Sequence, residues 1–265
     1  NDVNKILTNN KVDIIFHAAA FKHVPLIENN PFSAIKNNFL DTFEFMKFVS
    51  NHNIPNFCLI SSDKAVRPTN IMGASKRLSE LALTYLDNLK SNKTVFCSVR
   101  FGNVIGSSGS VIPIFLDQIE KKQSLTVTHK KVERYFMSIN EAVQLVINSS
   151  YLNKNSFRIF ALDMGKQIKI YEIANRIIKL SGNMIKNKSN PKGDISIKIT
   201  GLKKGEKLSE EITLGKKLLK TSNDKIMICD DKVKYFDVDF RINEKNKIIK
   251  NNNFKKHKIR KFLKN

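Results

Sequence analysis

Short apolar runs alternate with helix-period segments along the chain, and this alternation restricts the fold more than any other feature of the sequence. The run VDIIFHAAA at residues 12–20 is continuously apolar and β-branched at its start, which is typical of a strand buried on both faces. Residues 31–49 follow with apolar side chains three and four positions apart, as on one face of a helix. NFCLISS at residues 56–62, a second helix-period stretch and TVFCSVRFG at residues 94–102 continue the series. Alternation at these lengths predicts a parallel sheet with helices on both of its faces.

The pattern is less regular in the second half of the chain. The runs SLTVT, FRIFALDM and ISIKIT are strand-like, and two helix-period segments, near residues 140–152 and in IYEIANRIIKLSG, lie between them. We therefore predict an α/β protein with a Rossmann-like, doubly wound parallel sheet and a smaller α+β substrate-binding lobe. The predicted domains are a dinucleotide-binding domain (1–115 and about 135–165), a substrate lobe (about 116–134 and 166–240) and a basic tail (241–265).

One element of a dinucleotide-binding fold has no counterpart in the sequence. Such sheets normally open with G-x-G-x-x-G after the first strand, where the glycines and a helix N-terminus hold the pyrophosphate. GSSGS at residues 106–110 follows a strand, but its spacing is wrong and it comes too late in the chain. The expectation is that the first β-α-β unit is missing from the chain as given.

The net charge of +22 suggests an anionic partner, but the composition does not favour nucleic acid. Lysine supplies 38 of the 46 basic residues and asparagine is abundant, a pattern that codon bias towards A and T produces without selection for a ligand. We therefore predict no nucleic-acid partner. Residues 245–265 carry nine basic and no acidic residues, which leaves two hypotheses: a solvated, partly disordered tail, or contact with an anionic surface.

The cysteines and the apolar runs indicate the compartment. Cys58, Cys97 and Cys229 share no metal-ligand spacing, so we predict reduced thiols and no metal site. No apolar run approaches the roughly 18 residues that span a bilayer, and no signal peptide is visible. These features predict a cytoplasmic protein.

Three predicted strands end in residues that suit a ligand site. In open parallel sheets the ligand binds beyond the carboxyl ends of the strands, which here are residues 18–23, 61–64 and 100–103. The small residues at 18–20 would let a flat cofactor lie against the backbone. Pro68 forces a turn after Lys64, and the following helix puts residues 72 and 76 on one face. An Asp-Lys pair at a strand end is by itself usually a solvated turn, so only the combination indicates a site.

Five segments together resemble a known family: AAAFKHVPLIE, SSDKAVRPTNIMGASKR, RFGNVIGSSGSVIPIF, RYFMSINEAVQLV and GLKKGEKLSEE. They resemble the bacterial nucleotide-sugar 4,6-dehydratases of polysaccharide biosynthesis, which are CapD-like extended short-chain dehydrogenase/reductases. The resemblance implies conversion of UDP-N-acetylglucosamine, or a related UDP-hexosamine, to a 4-keto-6-deoxy sugar nucleotide, with NAD or NADP as cofactor and NAD favoured. It also implies a homo-oligomer, and association with the inner face of the cytoplasmic membrane through an upstream segment.

The resemblance also implies roles for the residues around Lys64. Short-chain dehydrogenases carry a catalytic tyrosine four residues before the helix lysine, and this chain has Met72 there. Members of the CapD-like subgroup share that methionine and use the strand-end triplet instead. By resemblance Lys64 removes the C5 proton, Asp63 protonates the departing 6-hydroxyl, Ser62 hydrogen-bonds the C4 oxygen, and Lys76 holds the nicotinamide ribose.

Further binding residues follow from the same resemblance. The predicted cofactor-binding residues are Ala18, Ala19, Ala20, Asn38, Ser61, Lys76, Phe101 and Gly102. The predicted substrate-binding residues are Lys22, His23, Asn103, Ser110, Val111, Arg134, Lys203 and Glu206. Relatives read LRPGEK where this chain has residues 202–207, so Lys203 keeps the charge of arginine but loses its bidentate fork. Two alternatives stay open: a nucleotide-sugar 4-epimerase on the same scaffold, and an inactive, basic anion-binding fragment.

Overall fold

The structure is a computed structural model that describes residues 2–154, 156–215 and 217–231. The α-helices are α1 (Asp2–Asn9), α2 (Val24–Asn29), α3 (Pro31–Ile35), α4 (Thr42–Asn51), α5 (Ile71–Asp87), α6 (Val111–Glu120), α7 (Ile139–Leu152) and α8 (Ile170–Leu180). The strands are β1 (Ile14–His17), β2 (Asn56–Ile60), β3 (Val95–Arg100), β4 (Asn103–Val104), β5 (Leu125–Val127), β6 (Glu133–Arg134), β7 (Phe136–Met137), β8 (Arg158–Leu162), β9 (Ile168–Lys169), β10 (Ile197–Ile199), β11 (Leu218–Lys220) and β12 (Ile226–Cys229). A π-helical turn (Lys36–Asp41) joins α3 to α4, and a 3-10 turn (Asp63–Ala65) follows β2.

The main sheet has six strands in the order β1-β2-β3-β8-β12-β11. Strands β1, β2, β3 and β8 are parallel, while β12 pairs antiparallel with β8 on one side and with β11 on the other. The parallel strands that the alternating pattern predicts are therefore present, and the Rossmann-like α/β class is confirmed. Strand β1 is shorter than its apolar run, so residues 18–20 lie beyond its carboxyl end.

The position of the last two strands corrects one predicted boundary. The sequence assigned residues 166–240 to the substrate lobe, whereas β11 and β12 pair with each other and β12 pairs with β8. These two strands extend the main sheet instead. The basic tail at 241–265 lies outside the described residues.

Helices cover both faces of the main sheet. On one face α4 and α5 pack against β2 and β3, in an apolar cluster that includes Phe43, Phe57, Leu83 and Phe96. On the other face α7 packs against Cys58, Cys97 and Phe160. The strands show why both faces are apolar: neighbouring residues point to opposite sides, and nearly every one of them is buried.

A separate apolar cluster forms beside the main sheet. Helices α6 and α8 pack on the two-stranded parallel sheet of β5 and β10, through residues such as Phe115, Leu125, Ala174 and Ile178. The three cysteines are free and buried, as predicted for reduced thiols. Among the residues described, no helix combines the length and the apolar character needed to cross a membrane.

Candidate active site

The Ser-Asp-Lys triplet forms a rigid turn at the carboxyl end of β2. The pairing of β2 with β3 continues past the strand, because Ser61 N donates to Val99 O at 2.9 Å and Asp63 N donates to Phe101 O at 3.1 Å. The Ser62 hydroxyl then accepts a hydrogen bond from Lys64 N at 3.2 Å and caps the 3-10 turn. The backbone of the triplet is therefore fixed by the sheet itself.

The side chains of the triplet converge on one carboxylate oxygen. Asp63 Oδ1 accepts hydrogen bonds from Ser62 Oγ at 2.8 Å and from Lys64 Nζ at 3.0 Å. Lys64 Nζ also lies 3.4 Å from Asn103 Oδ1. The Asp63 side chain is fully buried, and its Oδ2 has no hydrogen-bond partner within the described part of the chain. Such an orphaned oxygen can still donate or accept a proton, depending on its protonation state.

Gly102 allows the strand end to approach Asp63 closely. A Cβ at this position would lie 2.8 Å from Tyr135 Cβ and 3.0 Å from Asp63 Oδ2. Glycine is required here by the close approach of these groups. The sequence predicted Gly102 as a cofactor-binding residue, and the structure places it against the proposed acid.

Helix α5 begins directly against the triplet. Its N-terminal amides are capped by Asn70 Oδ1, which accepts from Gly73 N at 2.9 Å, and by Glu28 Oε1, which accepts from Ile71 N at 2.9 Å. A Cβ at Gly73 would lie only 2.1 Å from Lys64 O. Sequence reasoning missed Glu28 and Gly73, although a glycine in the first turn of a helix is itself an indication of close packing.

Met72 and Lys76 lie one turn apart on α5, and both are buried. Met72 belongs to the apolar cluster under the sheet, and its thioether cannot exchange a proton. Lys76 Nζ donates to Ile60 O at 2.8 Å. Burial lowers the pKa of Lys76 to about 8, although the Glu80 carboxylate opposes this shift. Burial, and then the charge of Lys76, lower the pKa of His17 to about 4, so this imidazole is neutral at pH 7.

The end of β1 offers an open surface beside Lys76. Ala18 and Ala19 are exposed, Ala20 is half-buried, and they follow His17, on which the Lys76 charge acts. Asn38 is buried, and its amide holds the backbone of Phe21, the residue that follows this surface: Oδ1 accepts from Phe21 N at 2.7 Å and Nδ2 donates to Phe21 O at 2.9 Å. Small exposed residues next to a buried ammonium fit the ring and ribose of a nicotinamide cofactor.

A cavity of about 500 Å³ opens beside Lys64. Four of the predicted substrate-binding residues line it: Asn103, Arg134, Lys203 and Glu206. Its wall also includes Lys64, Glu28, Asn70, Lys204 and Glu210. Of the triplet, Lys64 therefore faces a pocket lined by both cations and carboxylates, and Asp63 lies buried behind it.

The other predicted substrate-binding residues are not among those that line this cavity. Lys22 and His23 line a neighbouring cavity of about 230 Å³, and the His23 ring packs on Gly109. Ser110 is the residue before α6, and its buried hydroxyl has no hydrogen-bond partner among the described residues. Val111 packs with the cluster of α6 and α8.

Arg134 and Glu206 already hold protein partners in the pocket wall. The Arg134 guanidinium donates to Glu133 O at 2.7 Å and to Lys207 O at 2.8 Å. Glu206 accepts from Thr128 Oγ1 at 2.8 Å and from Lys203 N at 3.0 Å. Lys203 is exposed, so its ammonium can move towards a ligand.

A buried ion network lies behind the triplet and was not predicted from the sequence. Arg100 is fully buried and donates to both oxygens of Glu80, at 2.8 and 2.7 Å. The third guanidinium nitrogen, Nη1, lies 2.7 Å from Asp231 Oδ2. Ser61 Oγ, just before the triplet, donates to Glu80 Oε1 at 2.6 Å. Burial alone would raise the pKa of Glu80 and of Asp231, but Arg100 outweighs it and holds both below their usual values.

A parallel sheet that carries a Ser-Asp-Lys turn, with a lysine-bearing helix beside it, is the arrangement expected from the resemblance to the extended short-chain dehydrogenase/reductases. Residues 1–231 match the polysaccharide biosynthesis protein family. The chain belongs to this family, and the resemblance seen in its motifs is confirmed.

Curated relatives agree with this assignment. The chain is 45% identical over 208 residues to the capsular polysaccharide biosynthesis protein CapD of Staphylococcus aureus, covering 78% of this chain and 33% of that protein. It is 47% identical over 199 residues to the probable polysaccharide biosynthesis protein EpsC of Bacillus subtilis, covering 75% and 32%. The chain thus spans about a third of the length of these relatives. It is also 34% identical over 215 residues to a UDP-glucose 4-epimerase of Rickettsia rickettsii, covering 80% and 59%.

Solved structures share the fold. Pen from Bacillus thuringiensis superposes with a TM-score of 0.73 at 33% identity, covering 85% of this chain and 67% of that one. DesIV from Streptomyces venezuelae, a dTDP-glucose 4,6-dehydratase solved with NAD, gives a TM-score of 0.64 at 15% identity, covering 76% and 64%.

Proposed function

We propose that the protein is a nucleotide-sugar 4,6-dehydratase that converts UDP-N-acetylglucosamine, or a related UDP-hexosamine, to a 4-keto-6-deoxy product with NAD(P). The observation that carries this proposal is the contact of Ser62 and Lys64 with the buried Asp63, beside a methionine at the tyrosine position. This arrangement supplies an acid and a base without residue 72. Membership of the polysaccharide biosynthesis family supports the same substrate class.

The Asp63–Lys64 pair can carry both proton transfers. Passage of the shared proton from the Lys64 ammonium to Asp63 prepares a base and an acid at once. Lys64 then accepts the C5 proton, and Asp63 protonates the 6-hydroxyl as it departs as water. One proton enters the pair at Lys64 and one leaves it from Asp63, so the pair ends as the ammonium and carboxylate with which it began, joined by the 3.0 Å hydrogen bond between Nζ and Oδ1.

Residues around the pair hold the reactants. Residues 18–20 and Lys76 would hold NAD(P)⁺, which would supply an acceptor for the C4 hydride and return that hydride to C6, so that no cofactor is consumed. The proton that the C4 hydroxyl loses is balanced by the proton that C5 takes up. Ser62 is positioned to hydrogen-bond the C4 oxygen, since its hydroxyl lies beside Asp63. Met72 fills space on the helix that carries Lys76.

The rest of the pocket suits the nucleotide half of the substrate. Lys203 and Lys204 supply positive charge for the diphosphate at the open side of the pocket, with Arg134 behind them. Each lysine contributes a mobile point charge and not a planar fork. Glu206, held by Lys203 N, is available to the uridine ribose. In this proposal the main sheet binds cofactor, and residues 128–134 and 203–210 bind substrate.

Two other functions are weaker candidates. The similarity to a UDP-glucose 4-epimerase favours a 4-epimerase as the second candidate, but such an enzyme uses the tyrosine that this chain replaces with Met72. An inactive anion-binding fragment would bind acidic polymers with steep salt dependence and would gain no stability from UDP-sugars.

The test is conversion of UDP-N-acetylglucosamine by the protein at its natural full length with NAD⁺. We expect a product lighter by one water, with a 4-keto group and a 6-methyl group in its NMR spectrum. A product of unchanged mass with inverted C4 would identify an epimerase and overturn the proposal.

A further inference from the structure

The ionic groups of the large cavity fall into two sets. Lys203 and Lys204 lie on an exposed loop, and Glu206 is bonded to that loop through Lys203 N. Lys64 belongs to the other set, which lies at the strand ends, where its ammonium donates a hydrogen bond to the neutral Asn103 side chain. A nucleotide sugar that fills the cavity has its diphosphate near the exposed lysines and its hexose near the strand ends.

Glu210 belongs to the set at the strand ends. It is only 4% exposed, and its carboxylate interacts electrostatically with Lys64 and Asp63. Gln167 fixes its backbone, because the Gln167 amide donates to Glu210 O at 2.9 Å and its oxygen accepts from Glu210 N at 3.3 Å. The protein itself therefore holds the backbone of Glu210 in place, whether or not a ligand is bound.

The Glu210 side chain has acceptor capacity that the described residues do not use. Its Oε1 lies 4.0 Å from Arg134 Nε and its Oε2 lies 3.7 Å from Lys207 Nζ, so both cations are beyond hydrogen-bond distance. Oε2 is buried and has no hydrogen-bond partner among these residues. Glu206 differs, since each of its oxygens accepts a hydrogen bond from the protein.

Burial disfavours the charged form of this carboxylate. It raises the pKa of Glu210, Asp63 adds to the shift, and Lys64, Arg134 and Lys207 oppose it. A buried acceptor without a donor is unfavourable, so a ligand that brings a donor binds more tightly than one that does not.

The chemistry of the substrate decides which of its groups can be that donor. A diphosphate has no N–H or O–H donor at neutral pH, and its charge is repelled by a carboxylate. The hexose carries neutral donors, which are its ring hydroxyls and the acetamido N–H.

We propose that Glu210 is a specificity-determining residue, and that its carboxylate accepts a hydrogen bond from a ring hydroxyl or the acetamido N–H of the UDP-hexosamine. This inference rests on the proposed function, because it needs a UDP-hexosamine in the pocket. It concerns the sugar alone and predicts no role for Glu210 in binding UDP.

Calorimetric titration of the full-length protein with UDP-N-acetylglucosamine and with UDP tests the inference. Glu210→Gln keeps the size of the side chain but removes its charge. We expect this variant to lose about tenfold in affinity for UDP-N-acetylglucosamine, because hydrogen bonds to charged groups are the stronger ones, and to keep its affinity for UDP. Glu211→Gln is the matched control: it removes the same charge one residue on, from a half-exposed side chain that pairs with Arg67, and should change neither affinity.

Equal losses for UDP and UDP-N-acetylglucosamine in Glu210→Gln would overturn the inference, because the residue would then only hold the pocket together. If the variant fails to fold, deoxy and N-methyl analogues of UDP-N-acetylglucosamine give the answer with the unaltered protein. One of them should bind about tenfold more weakly, and equal binding of all would overturn the inference. A protein that binds UDP-N-acetylglucosamine no better than unrelated anions would instead overturn the proposed function.

Discussion

Replacing Arg100 by methionine should destabilise the protein strongly. The substitution removes two hydrogen bonds to Glu80, at 2.8 and 2.7 Å, and an ion pair of 2.7 Å with Asp231. Methionine fills much of the volume, so the main effect is electrostatic: two covered carboxylates lose their fully buried cation. Among the described residues, the ion pairs that they keep are those with Arg77, which lies 3.0 Å from Glu80 and 3.7 Å from Asp231. Breaking a buried ion pair from one side typically costs about 3–5 kcal/mol, against a total stability of about 5–15 kcal/mol.

Urea unfolding followed by circular dichroism measures this loss. With a denaturant slope of about 3 kcal/mol per molar for a chain of this size, the midpoint should fall by about 1 M or more. Lys121→Met is the matched control, because its ion pair with Asp117 joins two exposed side chains and is worth about 0–1 kcal/mol. An Arg100→Met midpoint equal to that of Lys121→Met would refute the argument that Arg100 compensates buried charge.

Two further predictions concern the same region. Gly73→Ala should lower both thermal stability and turnover, because a Cβ would meet Lys64 O at 2.1 Å. This clash outweighs the helix preference of alanine over glycine, which is about 1 kcal/mol. A variant as stable as the parent protein would contradict this packing. The free energy of unfolding should also fall as the pH drops below about 4. Arg100 holds the pKa of Glu80 and Asp231 below the values that these groups have in the unfolded chain. The two carboxylates therefore stabilise the folded protein above their unfolded pKa values, and this contribution is lost as they take up protons in the folded state. In Arg100→Met this loss of unfolding free energy at low pH should be smaller. If urea titrations across this pH range gave the same loss for Arg100→Met and for the parent protein, Arg100 would not be the cause of the lowered pKa values.

Local patterns explain why the sheet and the triplet were predictable. The runs that became β2 and β3 are mainly apolar at successive positions, which is typical of a strand covered on both faces. The carboxyl ends of parallel strands meet at one edge, so chain order alone brought residues 61–64 and Asn103 together.

Contacts between distant parts of the chain explain what the sequence did not reveal. Strands β11 and β12 join the main sheet through the pairing of β12 with β8, and nothing in their short runs indicates that partner. Glu210 reaches Lys64 and Asp63 from far along the chain, and its motif did not distinguish it from Glu206. Lys22 and His23 stand in a conspicuous motif, yet they line the neighbouring cavity.

The central claim is that Asp63 and Lys64 carry the proton transfers and that Met72 does not. The most direct measurement is turnover of UDP-N-acetylglucosamine in deuterated water by the full-length protein, compared between Lys64→Ala and Met72→Leu. The parent protein should place deuterium at C5 and none from solvent at C6. Met72→Leu, which conserves volume, should keep most of the rate, whereas Lys64→Ala should lose about 10²–10⁴-fold, as expected for a positioned general base. A Lys64→Ala variant that turns over at nearly the parental rate and still exchanges C5 would contradict the claim and assign the base elsewhere.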